Sequence, residues 1–229
     1  MSNKTIVVVG ASRGIGKALV EIFASNSENR VIALSRDLEK MKELFYGNSN
    51  VFAYPFDLLH NVQNEAKTIF EGIGNIDILI NNAGKLVNKP FPEITHSDLS
   101  ECYQVNVIGV METVQAALPQ MIHGGHIVNI SSMGGFQGSV KFAGLSAYST
   151  SKAALCSFTE MFAEEYKESK IKMNCLCLGA AQTEMLEEAF PGYQAPVSAE
   201  KMAEFIAQFA MTGDHWFNGK ILPVSLSTP

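Results

Sequence analysis

Short runs of β-branched and aliphatic residues recur along this chain, and nearly all are separated by longer stretches with helical periodicity. The runs are Ile6–Gly10, Arg30–Leu34, Val51–Tyr54, Asp77–Ile80, His126–Ser131, Lys172–Leu178 and Lys220–Val224. Helical patterns lie near Ile15–Ser25, Leu38–Phe45, Val62–Glu71, Ser97–Met121, Tyr148–Lys167 and Ala199–Met211. This alternation predicts βαβ units and a parallel sheet. Several strands are apolar throughout, as required when helices cover both faces. Right-handed crossovers wind such units into a doubly wound, Rossmann-like α/β fold of about seven strands, whose ligands sit beyond the C-terminal strand ends.

With 229 residues, 47% apolar content and no visible repeat or linker, the chain is expected to form one large domain over residues 1–229. The formal charge of −6 argues against a nucleic-acid surface, which needs clustered Lys and Arg. Lys4–Val9 is too short for a membrane span and runs straight into a glycine turn, and no other segment reaches spanning length. A soluble, cytoplasmic protein without membrane contact is expected. Cys175-x-Cys177 has no partner Cys or His cluster nearby and lies in a strand-like setting, so it reads as buried packing, and no metal is expected.

The first strand ends in Gly10-Ala11-Ser12-Arg13-Gly14-Ile15-Gly16, with a helix at once behind it. Glycines permit a tight turn and close backbone approach, and the helix start offers unpaired N–H groups to a pyrophosphate. The spacing is Gly-x-x-x-Gly-x-Gly, not the usual dinucleotide fingerprint, and a merely structural turn is the alternative. Further on, Tyr148 and Lys152 are spaced to share a helix face. Bringing a tyrosine from its free pKa near ~10 down to about 7 takes roughly 4 kcal/mol, and a nearby cation acts in that direction. An exposed helical pair is the plainer reading of the same spacing.

Taken together, the glycine run, Asn81-Asn82-Ala83-Gly84, Asn106 in Val105-Asn106-Val107-Ile108-Gly109, Ile130-Ser131-Ser132 and Tyr148-x-x-x-Lys152 resemble the short-chain dehydrogenase/reductase family. The resemblance covers nearly the whole chain, in the family's order. It implies a hydride transfer between a nicotinamide cofactor and a small carbonyl or alcohol substrate. Tyr148 would be the general acid/base, Lys152 would lower its pKa and bond the nicotinamide ribose, and Ser132 would donate to the developing alkoxide, with Ser131 the competing serine. Asn106, within the long fourth helix, would hold a water linking Lys152 to solvent.

The cofactor contacts implied by the resemblance are Gly10, Ser12, Arg13, Gly14, Ile15 and Gly16 in the turn, then Ser35, Arg36, Asp57, Leu58, Asn81, Ala83 and Gly84. Tyr148, Lys152, Gly179, Ala181 and Thr183 complete the set. Asp57 matches the position that bonds the adenine amino group; by itself it reads as a helix N-cap. An NAD site usually carries an acid at the end of the second strand, whereas here Ser35 is followed by Arg36. Arg36 and Arg13 are forked cations suited to a 2′-phosphate, so NADP(H) is expected over NAD(H). Arg36 as a plain surface charge beside Asp37 is the alternative.

The chain departs from the family pattern in places. Leu178 stands where a proline is usual, the interval from Ser132 to Tyr148 is longer, and the last strand lacks the acidic-glycine ending. The added residues around Val140–Gly144 are expected to form a loop beside the substrate. The lid, about 184–198, is short and implies an open cleft. Phe136, Phe142, Phe190 and Tyr193 are candidates to line it, with Gln137, Gln182 and Glu184 for polar contacts. The resemblance implies a homodimer or homotetramer. A non-catalytic NADP(H)-binding redox sensor is the rival function, although a sensor needs none of the proton machinery.

Overall fold

The computed structural model describes residues 3–226. Strands β1 (Thr5–Val9), β2 (Arg30–Ser35), β3 (Val51–Pro55), β4 (Ile78–Asn81), β5 (Gly125–Ser132), β6 (Ile171–Leu178) and β9 (Ile221–Val224) form one sheet in the order β3-β2-β1-β4-β5-β6-β9. Every pairing in it is parallel. The order reverses beside β1, which opens a crevice between the ends of β1 and β4.

The apolar strands serve two cores. Ile6 and Val8 of β1 pack on one face with Leu19 and Phe23 of α1 (Gly14–Ala24) and Met202 and Ile206 of α8 (Ala199–Thr212). Val7 and Val9 pack on the other face with Phe70 of α3 (Val62–Ile73) and Val114 of α5 (Gly109–Ala117). Side chains alternate across a strand, so a sheet covered on both sides needs an apolar residue at every position. Burying each such side chain fully contributes about 1.5–3 kcal/mol.

The stretch expected as one helix over 97–121 is broken. α4 (His96–Tyr103) begins in a reciprocal cap: Thr95 Oγ1 accepts from the Asp98 N–H at 3.1 Å, and the Asp98 carboxylate accepts from the Thr95 N–H at 2.9 Å. A π turn follows at Gln104–Ile108, then α5. Gly109 explains the break, because a Cβ there would lie 2.9 Å from the Leu58 carbonyl oxygen. Its N–H reaches back to the Gln104 carbonyl, the longer loop of a π turn. Pro119 then ends the helical run in a short 3₁₀ turn, Leu118–Gln120.

Three elements escape a strand-and-helix reading of the sequence. β7 (Ala181–Gln182) and β8 (Val197–Ser198) pair as a small parallel sheet, and α7 (Glu184–Ala189) lies between them, capped by Thr183. The lid is therefore a folded unit. Pieces this short carry too little periodicity to be recognised in sequence.

At the far end of the sheet, His126 is buried between two partners. Its Nδ1 lies 3.0 Å from the Ala210 carbonyl and its Nε2 lies 3.0 Å from Asn174 Nδ2. Only a neutral ring can donate to one and accept from the other. Burial holds its pKa below the ordinary value, opposed by the Ala210 bond and Asp214. The unfolded chain then binds the extra proton, so this contribution to stability is present above pH ~6.5 and lost as pH falls toward the folded-state value. Chemical denaturation of wild type and His126→Gln between pH 7.5 and 5 is expected to show a steeper acid-side loss of stability in wild type. Parallel curves would contradict the assignment.

Candidate active site

The turn between β1 and α1 forms the floor of the crevice. Gly10 (φ 86°) and Gly14 (φ 50°) hold left-handed backbone. A Cβ on Gly10 would stand 2.7 Å from Ala83 Cα, and one on Gly16 would overlap the Gly10 carbonyl. Asn82 Nδ2 fastens the same carbonyl at 3.0 Å. At the start of α1, Arg13 makes no side-chain cap and the first turn holds no acid. Those free N–H groups suit the pyrophosphate of a dinucleotide, whose cradle the missing Cβ atoms leave open.

Around this floor, Ser35 at the end of β2 donates to Ser12 Oγ at 2.7 Å. Arg36 is exposed beside it, while Asp37 caps α2 (Leu38–Leu44) by accepting from the Lys40 N–H at 3.0 Å. Arg13 does not point freely to that region: its guanidinium forms a two-pronged ion pair with Glu188 of α7, one bond at 3.2 Å. Asp57 accepts from the Leu59 N–H at 3.0 Å, closing a local turn, and the N-cap of α3 is Asn61 instead. Leu58 is buried, and its carbonyl accepts from Gln104 at 3.2 Å. Asn81 Nδ2 donates to Asn129 Oδ1 at 2.8 Å at the end of β4.

The chemistry-bearing residues come from α6 (Ser146–Glu165) and the end of β5. Lys152 is only 3% exposed, and its ammonium donates to the Ile130 carbonyl at 2.8 Å. Ser131 turns inward and donates to the Lys152 carbonyl at 2.9 Å, whereas Ser132 lies beside the Tyr148 phenol and its Oγ accepts from the Gly134 N–H at 3.2 Å. The two competing serines thus face opposite ways, as alternation along a strand requires. Gly84 sits beside the pair, with room for a Cβ 3.5 Å from the Lys152 ammonium.

The expected lowering of the phenol's pKa is not found in these side chains alone. Burial pushes Tyr148 up to about 12, against the opposing effect of Ser132. The Lys152 ammonium lies 5.9 Å from the Tyr148 ring centroid and is held by a backbone carbonyl. Burial likewise lowers the lysine, while neighbouring thiols raise it. In this setting the phenol keeps its proton at neutral pH.

Asn106 lies on the π turn, fully buried. Its Oδ1 accepts from the Lys85 N–H at 2.8 Å, and its Nδ2 donates to the Lys85 carbonyl at 2.9 Å and Ser151 Oγ at 2.9 Å. Ser151 in turn donates to the Tyr148 carbonyl at 2.7 Å. The amide therefore clips the segment that follows β4 to α6. Ser151 and Lys85 went unnoticed in the sequence; Ser151 stands inside the Tyr148–Lys152 spacing, but Lys85 acts through its backbone and leaves no signal.

On the substrate side, Gly179 continues the β6–β9 ladder, its N–H donating to the Val224 carbonyl at 2.9 Å, so the turn after Leu178 holds without a proline. Thr183 touches the space above Gly14, and Ala181 is buried beneath it. Phe136 packs inward against a cysteine cluster, which removes it from the cleft-lining set. Phe142 and Tyr193 are exposed, Gln137 is exposed, and Gln182 accepts from the Ala195 N–H at 2.8 Å within the lid. The added loop is clamped by Lys141, whose ammonium donates to the carbonyls of Gly134 (3.0 Å) and Phe136 (2.6 Å). Cys175 and Cys177 do have a partner: Cys156 of α6 approaches both, a contact that no sequence spacing reveals.

Among known proteins, the family described as short chain dehydrogenase matches residues 4–194. Oxidoreductase UcpA of Salmonella typhimurium is 34% identical over 193 residues, covering 82% of this chain and 73% of that protein. Carbonyl reductase family member 4 of Xenopus tropicalis is 32% identical over 212 residues, covering 90% and 88%. The crystal structure of a short chain dehydrogenase from Escherichia coli CFT073 complexed with NADPH superposes with a TM-score of 0.88 at 25% identity, covering 97% of each chain.

Two outcomes follow from the geometry. Gly16→Ala forces a Cβ into the Gly10 carbonyl and is expected to lower stability by about 1–3 kcal/mol, the usual cost of overpacking, as read by denaturant midpoint. Ultraviolet difference titration of cofactor-free wild type against Tyr148→Phe is expected to show no extra tyrosinate up to pH 10; a phenolate appearing near pH 7 would contradict the burial argument.

Proposed function

The chain belongs to the short-chain dehydrogenase/reductase family, and on that premise we propose that it is an NADP(H)-dependent carbonyl reductase or alcohol dehydrogenase. The observation carrying the reading is the pairing of the Tyr148 and Ser132 side chains beside the buried Lys152 ammonium, next to a glycine turn shaped for a pyrophosphate. When bound, the nicotinamide supplies or accepts the hydride. Tyr148, kept protonated by its surroundings, gives its proton to the substrate oxygen. Ser132 donates to the same oxygen as charge develops there. Lys152 holds the positive charge that eases departure of the phenolic proton, and its amine hydrogens also suit the ribose hydroxyls. Asn106 and Ser151 keep α6 and its tyrosine in place through their bonds to Lys85 and the Tyr148 carbonyl.

NADP(H) is favoured over NAD(H) by Ser35 and Arg36 at the end of β2, where no carboxylate stands to repel a 2′-phosphate. The NADPH complex of the Escherichia coli relative supports the same choice. The remaining cofactor contacts are read as Gly10, Ser12, Gly14, Ile15 and Gly16 for the phosphates, Asp57 and Leu58 for the adenine, and Asn81, Ala83 and Gly84 for the ribose side. Gly179, Ala181 and Thr183 complete the set around the nicotinamide. The substrate is a small carbonyl or alcohol compound. We read the chain as a single domain that forms a homodimer or homotetramer, an assembly supported by the exposed Leu99, Ile108 and Met111 around α4 and α5.

Purified protein with NADPH and a panel of aldehydes, ketones and diketones is expected to oxidise the cofactor. Tyr148→Phe should lower kcat by about 10²–10⁴-fold, the usual worth of a positioned general acid, with NADPH binding retained. Tight NADPH binding with no turnover of any carbonyl would instead identify a redox sensor. Arg36→Asp is expected to raise the KM for NADPH by about 10–100-fold, the loss of a charge-assisted bond, and to leave NADH unaffected. An equal effect on both cofactors would remove the phosphate argument.

A further inference from the structure

Where α6 meets the C-terminal half of β6, the core is built of sulfur. Cys156 stands one helical turn beyond Lys152, and Cys175 and Cys177 alternate onto one face of β6. Cys156 Sγ lies 3.9 Å from Cys175 Sγ and 3.6 Å from Cys177 Sγ, and all three atoms fall within 4.8 Å of one another. Met133 is the remaining fully enclosed member of the cluster, with Phe136 and Ile221 packed on its rim. The two large cores on the sheet are hydrocarbon with isolated methionines. Here the enclosed side chains are three thiols and a thioether.

An ion bonded to three sulfurs at about 2.3 Å in a trigonal plane requires sulfurs about 4.0 Å apart. The separations on both sides of Cys156 fall within about 0.4 Å of that requirement. Zinc favours four strong ligands, and among the described residues no imidazole or carboxylate joins this group; a soft thiolate and thioether set favours copper(I). Binding releases the thiol protons to solvent, and no electrons move. The resulting negative charge is offset by the Lys152 ammonium, which the thiols already influence. Phe136, at the start of the loop clamped by Lys141, packs over the rim of the cluster.

We propose that Cys156, Cys175 and Cys177 form a closed trithiolate site for one copper(I) ion, with the Met133 thioether at its edge. The test is anaerobic titration of the reduced protein with copper(I) against the chromophoric chelator bicinchoninate. One copper per chain is expected to be withheld from the chelator. Cys156→Ala and Cys177→Ala should each weaken retention by at least ~10-fold, since even outer-shell changes at metal sites cost that much. Cys102→Ala, which removes the one cysteine outside the cluster, should leave it intact. No retained copper, or equal loss in Cys102→Ala, overturns the proposal. Copper K-edge absorption on the wild-type adduct does not depend on any variant folding: three sulfur neighbours are expected, and fewer sulfurs or any nitrogen or oxygen neighbour overturns it.

Discussion

Helix α6 is locked to strand β5 by two bonds that run in opposite directions, and the site depends on that lock. The Lys152 ammonium donates to the carbonyl of Ile130, and the Ser131 hydroxyl donates to the carbonyl of Lys152. The contact is close because Gly135 carries no side chain: a Cβ there would stand 2.6 Å from the Lys152 carbonyl carbon. Both bonds are buried, where an unmatched polar partner is costly. Helix and strand therefore meet in one register, which brings the Tyr148 and Ser132 side chains together.

The same economy of space governs the opposite wall of the crevice. Gly10 and Gly16 allow the first turn to press against Ala83 and Asn82, so that the start of α1 and the end of β4 form one surface. Asn106 then ties the segment after β4 to α6 through Lys85 and Ser151. The π turn that carries Asn106 arises from tight packing, since Gly109 abuts the Leu58 carbonyl. A local break in a helix thus serves a contact made far away in sequence.

The ion pair between Arg13 and Glu188 connects the phosphate end of the crevice to the lid. If the cofactor is NADP(H), as proposed, its 2′-phosphate would draw on the same forked cation that Glu188 holds. The exposure of both partners makes the exchange inexpensive, because surface ion pairs are worth only about 0–1 kcal/mol. Among the described residues Arg36 makes no ion pair comparable to that of Arg13, which makes it the cleaner probe of the proposed cofactor preference.

Much of the protein was legible in the order of its residues. Apolar strands such as Ile6–Val9 fixed a sheet buried on both faces, the glycine turn located the crevice, and Tyr148 with Lys152 marked one helix face, because strand and helix periods and glycine's backbone freedom are local properties. Other features emerged only when distant segments met. The upward push on the Tyr148 pKa, the inward turn of Phe136, the claim of Glu188 on Arg13, and the approach of Cys156 to Cys175 and Cys177 all depend on packing between residues far apart in the chain. Sequence determined which groups lie on which face of each element; tertiary structure decided which of them are buried against one another, since burial and through-space distance belong to the packed chain and not to any segment of it.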